Sequence, residues 1–367
     1  MHRLQLHYTL SKDSSPATVR NPLIDLLQAV STQGSISAGA RLLGLSYRHV
    51  WGELKRWETE LGGELLIWEK GQSARLSEFG SKLMWAERQA QARLAPQIEA
   101  LRAELERSFA VAFDDASHVV TLYASHDDAL SQLREAAITQ SSDLHLDIRF
   151  TGSVDAIRAL NEGRCVMAGF HTLENMGKNT LTERIYKPLL KPGLHKIIGF
   201  ASRTQGLMVA PGNPLKVSGL ADLSQPRAGK PIRFTNRARG TGTRVVLDEL
   251  LATAGLNTSD IIGYDHTEPS HAAIAHAVLS GQADAGLGIE AAAVQAGLGF
   301  VPLVKENYHL VCLKSALEQP GIVALQALLQ TPQWQAAITA IPGYSALRSG
   351  EVLSLRKVLP WWDLPEK

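Results

Sequence analysis

Apolar positions along the chain fall into three textures. From residue 20 to about 80 they recur at helical spacing in short segments that end in a small hairpin-like turn. From 81 to about 108 they run with few breakers, as one long helix would. From about 118 onward, apolar runs of strand length alternate with helical segments: Val119–Ala124, Leu144–Thr151, Val166–Gly169, Gly206–Ala210, Ile232–Asn236, Ala285–Gly288 and His309–Leu313. Such alternation predicts an α/β domain with a largely parallel sheet. The stretch 107–117, RSFAVAFDDAS, is the expected boundary. The chain therefore divides into a small helical unit with a wing (1–80), a linker helix (81–112) and an α/β unit (118–367).

Between Gly34 and Trp51 the chain reads GSISAGARLLGLSYRHVW, which has helix–turn–helix logic. Ser35 or Ser37 caps the first helix, Gly44 supplies the exit, and Ser46 caps a second helix that runs to about Leu61. Val50, Leu54, Trp57 and Leu61 step by four, three and four and mark its core face. Arg48, Gly52, Lys55, Arg56 and Thr59 then point outward, with Tyr47 and Trp51 on one flank. Residues 41–56 carry four cations against Glu53. A cationic helix face opening at its N-terminal turn fits the major groove of double-stranded DNA. Arg48 is placed for a base edge or a nearby phosphate, and Lys55 and Arg56 for phosphates. The alternative is a solvated basic face that binds nothing. The wing decides between them: Leu65–Trp68 and Ala74–Leu76 form a hairpin whose tip offers Lys70, with Arg75 on the return strand, and Ser77 caps the long helix.

Along that helix Leu83, Glu87, Ala90, Leu94, Ile98, Leu101 and Leu105 make a heptad-type seam, with Pro96 expected to kink or split it. A seam joining a small unit to a large one predicts self-association, as a dimer or a tetramer, and two readers on two half-sites.

In the α/β part, strands run out into small polar residues just before helices. The ends are Ser125-His126-Asp127-Asp128, Thr151-Gly152-Ser153, Phe170-His171-Thr172 and Asn236–Arg244 (NRARGTGTR), the last preceding a helix over Val245–Thr253. Ligands of open α/β sheets lie at these carboxyl ends, where free amides and the helix dipole favour a small anion. In the last turn Gly240 and Gly242 permit close backbone approach, Thr241 and Thr243 offer hydroxyls, and Arg237, Arg239 and Arg244 bring charge. The phosphate-cradling spacing of nucleotide hydrolases is absent from it. Taken singly, Ser125 or Ser153 is equally explained as a helix N-cap.

SISAGARLLGLSYRHVW, LLIW and ARLSEFG resemble the winged helix of bacterial LysR-type and molybdate-responsive (ModE-type) regulators, over about residues 20–108. The SYRxxW opening is nearer the molybdate-responsive branch, from whose glycine-rich wing EKGQSA departs. ASHDDAL, TGSVDAIRALNEG, AGFHTL, QGLMVAPGNP, FTNRARGTGTRVVLD and SGQADAGLGIE keep their order across about 120–313. They resemble the periplasmic-binding-protein-like domain of the molybdate-binding class. The resemblance implies a multidomain chain: a winged helix–turn–helix, a linker helix, and a two-lobed α/β domain crossing near 200 and 305. Lobe 1 would hold about 118–200 and 306–367, and lobe 2 about 201–305. It carries ligand contacts onto Ser125 and Ser153 in the first lobe and onto Arg237, Arg239, Thr241, Gly242 and Thr243 in the second. His126, His171, His271, Asp284 and Tyr308 are weaker candidates. Val154-Asp155 departs from the pattern, and Asp155 either repels an oxyanion or points outward.

Composition changes this picture little. The 367 residues carry a formal net charge of +1 and two cysteines, so any nucleic-acid contact is a local patch and a reducing compartment is expected. No apolar run reaches a membrane span; the best, around Ile197–Ala210, is broken by Arg203 and Gln205. No signal-peptide pattern opens the chain, and a cytoplasmic protein with no membrane partner is expected. Neither metal-ligand spacings nor a nucleophile elbow occur, so no catalytic residue, metal or cofactor is assigned. The combined expectation is a regulator binding operator DNA and a small anion, molybdate, tungstate or a molybdenum-cofactor-related species, with formate the competing effector. A ligand-independent DNA binder and a cytoplasmic anion binder remain as other classes.

Overall fold

The computed structural model describes residues 21–67, 74–113, 118–140, 144–175, 177–226 and 229–362. Contacts divide the chain into two units, Met1–Ala95 and Pro96–Lys367.

In the first unit, α1 (Pro22–Gln33), α2 (Ile36–Leu42) and α3 (Tyr47–Leu61) are followed by β1 (Leu66–Ile67), β2 (Arg75–Leu76) and the start of α4 (Glu78–Phe113), which continues past the unit boundary at Ala95. Each start has the expected chemistry: Asn21, Ser35 and Ser46 accept from backbone amides in the first turns of α1, α2 and α3. Ser77 accepts from Gly80 N at 2.8 Å at the head of α4. Gly34, Gly44 and Gly62 take the left-handed conformation at the exits. Val50 and Leu54 are buried against Leu27, Val30 and Leu65, and Trp57 and Leu61 close the edge of this core. The wing pairs Leu66 with Leu76 and Ile67 with Arg75. Its tip, with Lys70, lies outside the described residues. Of the two effects expected of Pro96, a kink or a split, the split does not occur: α4 is one continuous element from Glu78 to Phe113.

In the second unit, β3 (His118–Ala124), α5 (Asp128–Gln140), β4 (Leu144–Phe150), α6 (Ser153–Asn161), β5 (Met167–Leu173) and α7 (Leu181–Tyr186) lead into the long strand β6 (His195–Val209). Next come β7 (Phe234–Arg237), α8 (Gly242–Thr253), β8 (Thr267–Glu268), α9 (His271–Leu279), β9 (Ala285–Ile289) and α10 (Glu290–Gln295). A second long strand, β10 (Gly299–Leu313), returns before α11 (Pro320–Leu329), α12 (Pro332–Thr339), β11 (Tyr344–Ala346), β12 (Val352–Ser354) and α13 (Leu355–Val358).

One sheet runs through this unit in the order β4-β3-β5-β10-β6-β9-β7-β8, with β11 and β12 on β6. Its ends are parallel, β4-β3-β5 and β9-β7-β8, but β6 and β10 run antiparallel to each other through the middle. The largely parallel sheet expected from the alternation is therefore a mixed one. The expected strands Gly206–Ala210 and His309–Leu313 are only the last third of 15-residue strands. Arg203, Gln205 and Glu306 interrupt the apolar pattern and hid their length. Core packing follows the two ends: Leu122, Ile148, Phe200, Leu310 and Trp334 on one side, Leu207, Phe234, Leu247 and Leu287 on the other. Each such side chain contributes roughly 2 kcal/mol through removal from water. Among the described residues, no helix is long and apolar enough to cross a membrane.

Candidate ligand cleft and nucleic-acid interface

The carboxyl ends of β3, β4, β5 and β7 converge on one buried polar cluster. Ser125 follows β3 and Ser153 opens α6 after β4; their hydroxyl oxygens are 3.4 Å apart and buried. Neither is an N-cap: Asp127 accepts from Ala129 N at the head of α5, and α6 is preceded by Gly152, which has no side chain to cap with. Capping therefore does not explain either serine. From β5, His171 stacks on Tyr308 with ring centroids 3.9 Å apart. From the other end of the sheet come Arg237, the last residue of β7, Thr243 in the first turn of α8, and His271 at the head of α9. His271 Nε2 lies 3.4 Å from the Thr243 hydroxyl.

The two sides are in contact. A Cβ on Gly152 would sit 2.7 Å from the Gly240 carbonyl, and one on Gly242 would sit 2.6 Å from His171 Nδ1. The glycines at 152 and 242 thus allow the close approach of the two sides, whereas Gly240 is required by its left-handed backbone. At the rim, Glu249 of α8 accepts from Thr182 N at 2.8 Å and from the Thr182 hydroxyl at 3.3 Å.

Charge in the cluster is unevenly satisfied. Arg203 of β6 is paired with both Asp127 and Glu306, its register partner on β10. The Tyr344 hydroxyl adds a 2.8 Å bond to Asp127. Burial opposes the charge on Arg203, but the two carboxylates outweigh it and raise its pKa. Arg237 is 2% exposed, and its Nε and one terminal nitrogen have no hydrogen-bond partner. Burial, with repulsion from Arg203, lowers its pKa to about 9, against a partial pull from Asp127. His171 and His271 are held neutral, well below the ordinary histidine range, by burial and by the neighbouring guanidinium groups. Both ring nitrogens of His171, Nδ1 of His271 and the Tyr308 hydroxyl also lack partners. A buried cation with unused donors, ringed by hydroxyls and neutral imidazoles, has the chemistry to take up an anion.

The residues singled out in sequence separate cleanly. Ser125, Ser153, Arg237, Gly242 and Thr243, with His171, His271 and Tyr308, gather here. Arg239 does not: its side chain is 81% exposed and pairs with Asp265 at 3.3 Å. Thr241 is committed to capping α8, accepting from Arg244 N. Arg244 is satisfied by Asp248 at 3.0 Å and by the Tyr264 ring. Asp284 pairs with Arg233 at 2.8 Å, and Asp155 points outward to Arg158 at 3.0 Å. His126 packs on Phe150. Asp127, Arg203, Gln205, Glu306 and Tyr344 were not singled out. The signal for Arg203 and Gln205 was available, as polar residues two apart in an otherwise apolar strand.

In the first unit, the outward face of α3 carries Tyr47, Arg48 and Trp51, all exposed. Among the described residues Arg48 has no hydrogen bond or ion pair, whereas Arg56 meets Glu53 at 2.7 Å and Glu60 at 3.7 Å. Lys55 reaches Glu58 at 2.6 Å and lies over the Trp51 ring. Arg75 on the wing is exposed.

Residues 134–330, more than half the chain, match the family described as PBP superfamily domain. The chain belongs to that family. Residues 23–81 match the bacterial regulatory helix-turn-helix of the lysR family. This PBP-family chain thus joins a regulatory DNA-binding helix-turn-helix of the lysR type, over residues 23–81, to an effector-binding-type domain. The uncharacterized protein YvgK of Bacillus subtilis (strain 168) is 32% identical over 226 residues, covering 62% of this chain and 70% of that protein. An uncharacterized protein in the ferredoxin 2Fe-2S gene 5′ region of Clostridium pasteurianum is 29% identical over 111 residues, covering 30% of this chain and 98% of it. Among solved structures, full-length CbnR complexed with its target DNA gives a TM-score of 0.41 at 18% identity, covering 82% of this chain and 95% of that one. Full-length LysG of Corynebacterium glutamicum gives 0.39 at 15% identity, covering 86% and 97%.

Proposed function

We propose that this regulator senses a small anion held between the lobes by Ser125, Ser153, Arg237 and Thr243, with His171, His271 and Tyr308 completing the donor set. The single observation that carries the reading is the buried, unpartnered guanidinium of Arg237, a state that costs stability unless a ligand completes it. The resemblance to the molybdate-binding class makes molybdate, tungstate or a molybdenum-cofactor-related species the first candidates, controlling genes for molybdenum enzymes. Formate, a substrate of such enzymes, is the competing one. Ser46, Tyr47, Arg48, Lys55, Arg56 and Arg75, with Lys70 at the wing tip, are the proposed DNA contacts, Arg48 foremost because its charge is uncommitted. Self-association runs through α4, whose seam leaves Leu101 58% exposed in a single chain.

Thermal unfolding of the full chain with molybdate, tungstate, sulfate and formate, paired with gel shifts on the DNA upstream of its own gene, tests the reading. Stabilisation by an anion together with an anion-dependent gel shift is expected. No stabilisation by any anion leaves a ligand-independent DNA binder, and stabilisation without DNA binding leaves an anion-binding protein.

A further inference from the structure

The cluster holds unused acceptors as well as unused donors. Gln205 of β6 is fully buried; its amide nitrogen donates to Glu306 Oε1 at 2.6 Å and to the Thr243 hydroxyl at 3.2 Å. The carboxylate at 2.6 Å fixes which end of that amide is nitrogen, because a carboxylate oxygen needs a donor. Gln205 Oε1 is therefore an acceptor, and it has no partner. Glu306, also fully buried, spends Oε1 on Arg203 and Gln205, and its Oε2 has no partner. Both acceptors belong to the chain of contacts that runs Glu306–Gln205–Thr243–His271, and the Arg237 guanidinium is close enough to His271, at the end of that chain, to depress its pKa.

A fully deprotonated tetrahedral oxyanion presents only acceptor oxygens. In this cluster it would satisfy Arg237, the hydroxyls and the imidazole N–H groups, yet leave Gln205 Oε1 and Glu306 Oε2 unpaired and set against its own lone pairs. An anion bearing one O–H satisfies both sets. Charge points the same way: Asp127 and Glu306 balance Arg203 and Arg237, so a monoanion adds one net negative charge to the buried cluster and a dianion adds two.

We propose that the cleft recognises a small anion that itself donates a hydrogen bond, an oxyanion retaining a proton or a hydroxycarboxylate, in preference to a fully deprotonated dianion such as molybdate, tungstate or sulfate. The proposal rests on the anion-sensing reading of the same cleft and, within it, ranks a donor-bearing anion above the molybdate, tungstate and formate named there.

Two size-matched pairs test it on the full-length protein at pH 7 by calorimetry or ligand-dependent thermal unfolding: phosphate against sulfate, and glycolate against propionate. The donor-bearing member of at least one pair is expected to bind about tenfold tighter or better, the low end of what one unmade buried hydrogen bond costs. In Gln205→Met, which removes an acceptor, that preference should shrink while anion binding persists. Equal affinity within both pairs, or tighter binding of molybdate and sulfate than of phosphate, overturns the donor requirement and leaves anion sensing standing. Absence of binding by every anion overturns both. If Gln205→Met does not fold, the wild-type pairs alone decide.

Discussion

Arg237→Met should make the ligand-free protein more stable and deaf to its effector. Arg237 is held at about 9 by burial and by Arg203, whereas a guanidinium in an unfolded chain titrates above ~12. The sign follows from proton counting. Below pH 9 both states are protonated and the native state carries the whole penalty; between 9 and 12 only the unfolded state holds the proton, so stability rises with pH there. Three pH decades at about 1.4 kcal/mol each set an upper bound near ~4 kcal/mol. Methionine keeps the length of the side chain, fills the space and breaks no hydrogen bond of Arg237 Nε or its unpartnered terminal nitrogen, giving up only the partial pull of Asp127. Replacing a buried ion pair by apolar groups is often neutral or stabilising by about 1–4 kcal/mol, and a gain within that range is expected for Arg237, which has no carboxylate bonded to it. For a unit of this size each kcal/mol is about 2 °C in Tm, so a rise of about 2–8 °C is expected without ligand. Thermal unfolding of wild type and variant, each with and without anion, is the assay. A lowered Tm in the ligand-free variant would refute the reasoning, since it would make Arg237 a structural group already satisfied by the protein.

Arg48→Ala should weaken operator binding by about 5- to 150-fold, the ~1–3 kcal/mol of a specific arginine contact, while leaving the anion-induced Tm shift intact; fluorescence anisotropy on labelled operator reads the first and thermal unfolding the second. Stability should fall steeply on mild acidification. His309 is pushed down to about 3 by burial, and His171 and His271 sit well below the ordinary value. Their stabilising neutrality is complete above pH ~6.5 and is lost as pH falls toward 3, because the unfolded chain takes up protons that the native state refuses. From pH 6.5 to 5.5 His309 alone accounts for a loss of about 1 kcal/mol, and His309→Gln should remove that part of the slope in urea titrations across the range. Leu101→Glu should shift the protein toward monomer in light scattering after size exclusion, with the fold of each unit unchanged by circular dichroism.

The elements legible in the sequence are those whose signal is local. The caps at Ser35 and Ser46, the exit at Gly44 and the core face Val50–Leu54 of α3 depend on residues within a turn of each other, and they fold as their spacing dictates. The parallel strands β3, β4 and β5 are short apolar runs for the same reason. The arginines after β7 show where local reasoning ends. Arg237 is still on the strand, so alternation directs it inward. Arg239 lies past the strand end, in the turn where Gly240 adopts a left-handed conformation, and goes to solvent. Thr241 carries the right chemistry but spends it on the helix it caps. Asp127, Arg203, Glu306 and Tyr344 are assembled from four distant parts of the chain, and only register shows that Arg203 and Glu306 face each other.

Two arginines in one cluster divide a task. Arg203 is locked by Asp127, next to the end of β3, and by Glu306 on β10, so it ties both crossing strands to the β3 end of the sheet with or without ligand. Arg237 faces that locked pair from β7 and has no carboxylate of its own. A ligand shifts a conformational equilibrium only by its difference in affinity between the states. An anion satisfied wholly by one lobe would therefore close nothing. In the proposed site the donors are split, Ser125, Ser153 and His171 on the β3–β5 side and Arg237, Thr243 and His271 on the β7 side, so full bonding of an anion there would require both sides at once. Had Arg237 been given a carboxylate on its own lobe, its donors would be satisfied whether or not an anion was present, and binding would carry less information about closure. Leaving it unpaired costs stability and makes completion of the cluster depend on the ligand.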